Sequence, residues 1–178
     1  MSDSEVTLDK EQIKALQSYR RLWISVRDLE ECNEMIQQIV NLGLKHPGMN
    51  QANPLLAGIT SALVVAYSRP FVKSRGNNRF ADRMLPGSLL RVFSRNERSL
   101  HEYIISKRNT AVAHSDSDIL ELSLKLYPDG DSGIHRVVNE PLYRSDLYIL
   151  QKMVSKLLDI IDSECVVLRK NLPLYESL

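Results

Sequence analysis

The sequence contains little of what would cross-link or interrupt a fold. Its 178 residues include only two cysteines, Cys32 and Cys165, and both fall on apolar stripes of predicted helices, where a free thiol usually acts as a small core residue. A disulfide framework is therefore excluded. The chain also lacks any run of about 20 apolar residues that could span a membrane, and its first residues are polar and acidic, unlike a secretory leader. We expect a cytoplasmic protein without a membrane partner.

The short motifs typical of metal, phosphate and serine-nucleophile sites are missing. The four histidines and two cysteines show none of the close spacings of zinc ligands, such as C-x-x-C or H-x-x-x-H. There is no Gly-rich phosphate loop and no G-x-S-x-G turn. We therefore expect neither a metal nor another cofactor.

Length and composition predict one globular domain. The chain is 43% hydrophobic and 25% charged, and a chain of this size buries roughly 70% of the surface of its unfolded form. No internal repeat or low-complexity segment divides it, so we expect residues 1–178 to form a single domain. The net charge of only +1 argues against a protein that coats nucleic acid indiscriminately.

Positive charge is concentrated in residues 69–98, here called the basic segment. It contains eight basic residues and only two acidic ones. All but one of the eight are arginines, whose guanidinium groups bind phosphate oxygens in pairs. One interpretation is a solvated arginine-rich loop with no ligand. The other is a phosphate-binding rim that contacts RNA through Arg69, Lys73, Arg75, Arg79 and Arg83.

Apolar periodicity predicts the helices at the two ends of the chain. The first spans about residues 8–42, with an inward face that includes Leu16, Trp23 and Leu29, and Gly43 is suited to its C-terminal cap. The last spans about residues 144–170 and carries a regular apolar stripe.

Two further helices are predicted between them. One begins at Asn53 and Pro54 and is apolar nearly all round, which indicates a buried central helix. The other begins in a capping box formed by Ser94 and Glu97, with Tyr103 among its inward residues. Alternating leucines from Leu120 to Leu126, a turn, and residues 134–138 then predict a β-hairpin. The expected fold is mainly α, a four-helix bundle with a hairpin inserted before the last helix.

The third helix carries the most informative motif. Arg108 and Asn109 are followed, after a spacer of mostly small residues, by His114. Arginine and histidine near a helix end can hold a phosphate and move protons at neutral pH, which is what RNA cleavage without a metal requires. We predict that Arg108, Asn109 and His114 are catalytic. Glu97 and His101 share a helix face with Arg108 and are predicted to support it.

Each of these residues also has a structural interpretation. A histidine at position 114 would be a helix C-cap or a half-buried, hydrogen-bonded residue, and Arg108 would serve packing. The face shared by Glu97, His101 and Arg108 would be a surface ion-pair ladder.

The motif resembles the R-x(4–6)-H signature of the HEPN superfamily, whose members are often ribonucleases. Asn109 stands where that family usually has a polar residue. The helix order along the whole chain is similar to that of HEPN domains, which are four- or five-helix bundles, and residues 67–71 resemble a segment of abortive-infection-type HEPN proteins. The resemblance implies a homodimeric toxin or phage-defence effector, with a possible antitoxin as partner.

One feature of some HEPN toxins is missing. They carry a tyrosine two residues after the motif histidine, which a partner nucleotidyltransferase modifies, whereas this chain has Asp116. The resemblance therefore does not extend to that form of regulation.

Helix geometry shows what the motif needs in order to act. In a continuous helix, Arg108 and His114 would point about 120° apart and lie about 9 Å apart along the axis. Either the helix ends near Val112, so that His114 turns toward Arg108, or two helix ends face each other in a dimer. The resemblance implies the dimer. Two other functions remain open: a non-catalytic HEPN-type module that binds RNA or a nucleotide, and a helical dimerisation or interaction protein in which the motif is incidental.

Overall fold

The computed structural model describes residues 9–43, 53–72, 85–112, 122–126, 132–136, 142 and 144–172. Most of these residues lie in four helices: α1 (Lys10–Asn41), α2 (Pro54–Ser68), α3 (Arg95–Val112) and α4 (Arg144–Lys170). Helix α1 contacts α2 and α4, and α3 contacts the same two helices, so that the four form a bundle. The prediction of a mainly helical fold is confirmed. None of the helices in the described ranges is long and apolar enough to cross a membrane.

Local sequence signals set the ends of the helices. Oδ1 of Asn53 accepts a hydrogen bond from the backbone N–H of Leu56 at 3.0 Å, with Pro54 in the first turn of α2. At α3, the carboxylate of Glu97 accepts from the backbone N–H of Ser94 at 2.7 Å, and the Ser94 hydroxyl accepts in return at 3.4 Å. Gly43 has φ 60°, the left-handed conformation that ends α1. The predicted caps are confirmed at all three places.

The core lies between the four helices. Its fully buried members include Cys32 and Ile36 from α1, Tyr67 from α2, Ile104 from α3, and Met153 and Leu157 from α4. The inward stripe of α4 follows its apolar periodicity, with Leu147, Leu150, Val154 and Ile161 all buried. Burial of such side chains is the main favourable contribution to the stability of a bundle of this kind.

Three aromatic and aliphatic residues differ from their predicted positions. Trp23 is 52% exposed and Tyr103 is 45% exposed, although apolar spacing predicts both on inward faces. On α1, the inward face is instead turned toward Leu22 and Ser25 and includes polar residues that bind partners on other elements. Leu55 is 55% exposed on α2, so that helix has a free side and is not surrounded.

Helix α2 is followed by a 3-10 turn at Arg69–Phe71, and a second 3-10 turn at Gly87–Val92 precedes α3. Leu85, Leu89 and Phe93 are buried in the core. The later part of the basic segment is therefore ordered against the bundle, although its glycines and prolines predict a loop throughout. Between α3 and α4, strands β1 (Leu122–Leu126) and β2 (Ser132–Arg136) pair antiparallel, with Leu124 opposite Ile134.

Candidate functional site

Helix α3 carries the residues predicted to act together, and its inward side is partly polar. Glu97 is 7% exposed, Ile104 is fully buried, and His101 and Arg108 are half-buried on the same side of the helix. The spacing of four and seven residues along α3 explains why they share this side. Glu97, His101 and Arg108 thus lie on one partly buried side of α3.

The carboxylate of Glu97 binds residues at the start of α3 and on α4. Its two oxygens accept hydrogen bonds from Nζ of Lys156 at 2.7 and 2.9 Å, in addition to the bond from Ser94. Although burial alone would raise its pKa, the Lys156 ammonium and the Ser94 donors hold the pKa of Glu97 below its ordinary 4.5. Glu97 is therefore an ionised carboxylate that joins α3 to α4.

His101 lies in a cluster of aromatic rings that we call the His101 cluster: Tyr67, Phe71, Phe93 and His101. The Tyr67 hydroxyl is 2.9 Å from Nδ1 of His101. The ring of Phe71 packs on the imidazole at 4.7 Å and 86°, and the ring of Phe93 lies at 6.0 Å. Burial lowers the pKa of His101, with an opposing effect from Glu102. The neutral imidazole of His101, on α3, thus contacts α2 through Tyr67. It also contacts the two described parts of the basic segment, through Phe71 and Phe93.

Arg108 lies four residues from the end of α3 as described. Its side chain is half-buried, and its Nε is inaccessible and without a hydrogen-bond partner in the described part of the chain. A buried N–H donor without a partner is uncommon and costs stability. Asn109 lies in the same helix, but its side chain falls outside the described residues, and so does the whole of His114. Of the three residues predicted to be catalytic, the structure therefore describes the side chain of Arg108 alone.

Among the predicted RNA contacts, only Arg69 lies in the described part of the chain. Its Nη1 binds Oδ1 of Asp28 at 3.2 Å and Oε2 of Glu31 at 2.8 Å, while 47% of the side chain stays exposed. A phosphate would have to compete with two carboxylates for this guanidinium. Lys73, Arg75, Arg79 and Arg83 lie outside the described residues.

The two described parts of the basic segment, residues 69–72 and 85–98, are joined by a hydrogen bond. The backbone N–H of Leu85 donates to the carbonyl oxygen of Pro70 at 2.9 Å. Nη2 of Arg21 donates to the same oxygen at 3.0 Å. Residues 73–84, which carry most of the predicted RNA contacts, lie outside the described residues, and the residues that flank them, Pro70 and Leu85, are held together beside Arg21.

Sequence reasoning missed the polar partners that other elements supply. Tyr67 and Lys156 bind His101 and Glu97 from α2 and α4, and Arg21 and Asp28 meet the basic segment from α1. Each lies 34 or more positions from its partner in the chain. The available signal was the presence of charged residues at helical spacing among inward apolar residues of α1, as at Arg21 and Asp28.

Among the described residues, no group of three or more histidine, cysteine, aspartate or glutamate side chains is arranged to hold a metal ion. Comparison of the chain with protein-family models, with curated proteins and with solved structures found no match.

Proposed function

We propose that this protein is a metal-independent endoribonuclease of the HEPN type, acting as a toxin or phage-defence effector. The proposal includes a HEPN-like bundle with a β-hairpin before its last helix. The observation that carries it is the position of Arg108: an arginine of the R-x(4–6)-H motif, held half-buried near the end of a bundle helix, with a buried Nε that no described residue binds.

The environment of Arg108 supports a role in binding an anion. An arginine that only stabilised the bundle would be expected to have its donors satisfied, as Lys156 is by Glu97. Partial burial instead restricts the Arg108 side chain, and its buried Nε has no partner among the described residues. A fixed guanidinium suits a phosphorane, because its paired N–H groups match two equatorial oxygens.

The proposed reaction needs only the groups of the motif and the RNA. The ribose 2′-oxygen attacks the adjacent phosphorus while a neutral His114 takes the hydroxyl proton. The P–O5′ bond then breaks, and a second histidine, supplied by the partner copy of the chain, protonates the leaving 5′-oxygen. Arg108 stabilises the charge of the pentacoordinate phosphorus. The products are a 2′,3′-cyclic phosphate and a 5′-hydroxyl.

Glu97 and His101 contribute to this function through position. Glu97 is bound to Lys156 and His101 to Tyr67, so each joins α3 to a neighbouring helix. A half-buried, neutral His101 whose Nδ1 is already bonded is poorly suited to a phosphate. We therefore assign both as positioning residues that hold α3, and with it Arg108, against the bundle.

The test is RNA cleavage by purified wild type, His114→Ala, Arg108→Ala and Arg108→Lys. Arg144→Ala, which removes an exposed arginine from the start of α4, is the matched control. We expect the control to cleave like wild type and both alanine variants to be inactive but folded by circular dichroism. Arg108→Lys should retain little activity, because lysine keeps the charge without the paired donors. Cleavage should persist in EDTA.

The outcomes separate the three functions. Undiminished cleavage by either alanine variant would remove that residue from the catalytic group, and 5′-phosphate products would indicate a different nuclease chemistry. A wild type that binds RNA without cutting it would be the non-catalytic module. A wild type that neither binds nor cuts RNA would be the interaction protein.

A further inference from the structure

A pocket of about 310 Å³ lies apart from α3, where the first half of α1, the last turns of α4 and the 3-10 turn at Gly87–Val92 meet. Its apolar wall includes Leu22, Leu89 and Leu168, and its polar lining includes Arg21 and Glu164. The volume is at the lower end of the range for small-molecule sites, about 300–1,000 Å³. The pocket is thus large enough for a small ligand.

Arg21 is the buried charge of this pocket. The residue is only 6% exposed. Its Nη2 donates to the carbonyl oxygens of Arg69 and Pro70 at 2.9 and 3.0 Å, and its Nε is buried without a partner in the described part of the chain. Burial lowers the pKa of Arg21, because the charged form loses solvation.

Among the described residues, no carboxylate forms an ion pair with Arg21. Asp28 attracts Arg21 electrostatically, but Oδ1 of Asp28 accepts its hydrogen bond from Arg69. The two carbonyls that Arg21 does bind lie just after α2, where a helix end carries partial negative charge. Capping that end accounts for Nη2 of Arg21, but Arg21 also lines the pocket, where no described residue supplies a bound anion. A buried cation is costly unless an anion accompanies it.

We propose that this pocket binds a small amphipathic carboxylic acid in its ionised form. The carboxylate would compensate the charge of Arg21, and the alkyl body would lie against Leu22, Leu89 and Leu168. Glu164 is exposed on α4 and also lines the pocket. Arg21 is the one cation among the lining residues, so the second charge of a dianion such as a phosphate monoester would have no partner there and would be repelled by Glu164. A single negative charge on an apolar body fits this lining better.

The site is separate from the proposed nuclease. It shares no residue with the group at Arg108 and His114, and its occupancy is measured by binding without RNA. The pocket nevertheless lies beside described residues of the basic segment, since Arg21 and Leu85 bind the same Pro70 oxygen and both line the pocket.

The probe is octanoate, with 1-octanol, octylamine and inorganic phosphate as comparisons, and the full chain is titrated with each by calorimetry. We expect octanoate to bind about tenfold more tightly than 1-octanol or better, because the alcohol carries no negative charge to compensate the charge of Arg21. Octylamine should bind more weakly still, since its ammonium would approach Arg21.

Two substitutions locate the binding. Arg21→Met removes the charge and keeps an unbranched side chain of similar length. It should abolish the preference for octanoate over 1-octanol. Ser88→Trp enlarges an exposed residue that lines the pocket, without touching the core, and should block both ligands. Ser99→Trp, at an exposed position on α3, is the control and should bind like wild type.

Equal binding of octanoate and 1-octanol would reduce the pocket to an apolar groove and overturn the proposal. Tighter binding of phosphate than of octanoate would also overturn it, as would the absence of binding by all probes. If Arg21→Met does not fold, the Ser88→Trp and Ser99→Trp pair decides, because undiminished octanoate binding to Ser88→Trp would place the ligand elsewhere.

Discussion

The hydroxyl oxygen of Tyr67 lies 2.9 Å from Nδ1 of His101, and this hydrogen bond joins α2 to α3 inside the bundle. Burial raises the pKa of Tyr67 well above its ordinary 10.0, so the phenol keeps its proton. Burial also lowers the pKa of His101. A protonated phenol and a neutral imidazole form one donor–acceptor pair, whose direction depends on the imidazole tautomer. An imidazolium could still donate to the phenol oxygen, but its charge would be placed in a largely buried, aromatic site.

This arrangement predicts that acidification destabilises the fold. The pKa of His101 in the folded chain lies below its ordinary 6.5, so the unfolded chain takes up the proton first as the pH falls. The corresponding stability is present above that value and is lost as the pH decreases from it toward the folded pKa. Urea unfolding at a series of pH values between about 5 and 8 should show the loss, and His101→Gln should flatten it.

Tyr67→Phe is the matched control for this prediction. It removes the hydroxyl and should cost about 1 kcal/mol. Because burial is the larger cause of the His101 shift, the variant should keep its pH dependence. A pH dependence that is unchanged in His101→Gln would assign the effect to another group.

A second prediction concerns the ion pair of Glu97 with Lys156. Lys156→Met should lower the free energy of unfolding by about 2 kcal/mol, because it removes the ammonium from a largely buried carboxylate. Glu97→Gln measured alone and in the double variant gives the coupling between the two. Lys152, one turn earlier and exposed, lies over the ring of Tyr148, and Lys152→Met should stay within about 0.5 kcal/mol of wild type. Equal effects of the two lysine substitutions would mean that the Glu97 ion pair contributes little.

The basic segment is predicted to govern RNA affinity more than chemistry. Replacing Arg75, Arg79 and Arg83 with alanine should weaken RNA binding. It should also reduce the salt dependence of binding by up to about one logarithmic unit for each phosphate that is no longer bound. Cleavage at saturating RNA should change much less. Filter binding at several salt concentrations gives the slope, and an unchanged slope would identify the segment as solvated surface.

Arg69→Ala is expected to behave differently from the triple variant. Its guanidinium binds Asp28 and Glu31, and the Asp28 side chain is only 12% exposed, so truncation should destabilise the bundle by about 1 kcal/mol.

A homodimer with the two Arg108/His114 segments facing each other is the fourth prediction, because one helix does not complete the site. Sedimentation at micromolar concentration should show the dimer. Adding excess His114→Ala chain to wild type should lower the activity per wild-type chain, since mixed dimers lack one histidine. Cleavage by a monomer, or activity that is indifferent to the added variant, would exclude a site shared between copies.

Local signals made the helix ends predictable. Asn53 and the pair of Ser94 and Glu97 bind backbone N–H groups three positions away, and the left-handed conformation at Gly43 depends on that residue alone. Such features are fixed by neighbours in the chain, so the sequence contains what decides them. The apolar stripe of α4 was predictable for the same reason.

The polar interior was not predictable, because its partners are far apart in sequence. The apolar stripe of α1 does not include Arg21 or Asp28, yet both are buried, and they meet the residues that follow α2. Trp23, which the spacing predicts on the inward face, is 52% exposed. Likewise, the motif at Arg108 could be found from spacing, but the binding of His101 to Tyr67 depends on how α2 packs on α3.

Cys32 gives the chain an internal reporter of helix separation. Its thiol is fully buried between the helices, and burial raises its pKa to about 12, whereas Cys165 is partly accessible. Thiol reagents attack the thiolate, so Cys165 reacts while the bundle is closed and Cys32 reacts only when α1 parts from its neighbours. The ratio of the two labelling rates therefore measures how often the folded protein opens, in its native sequence and without an added probe.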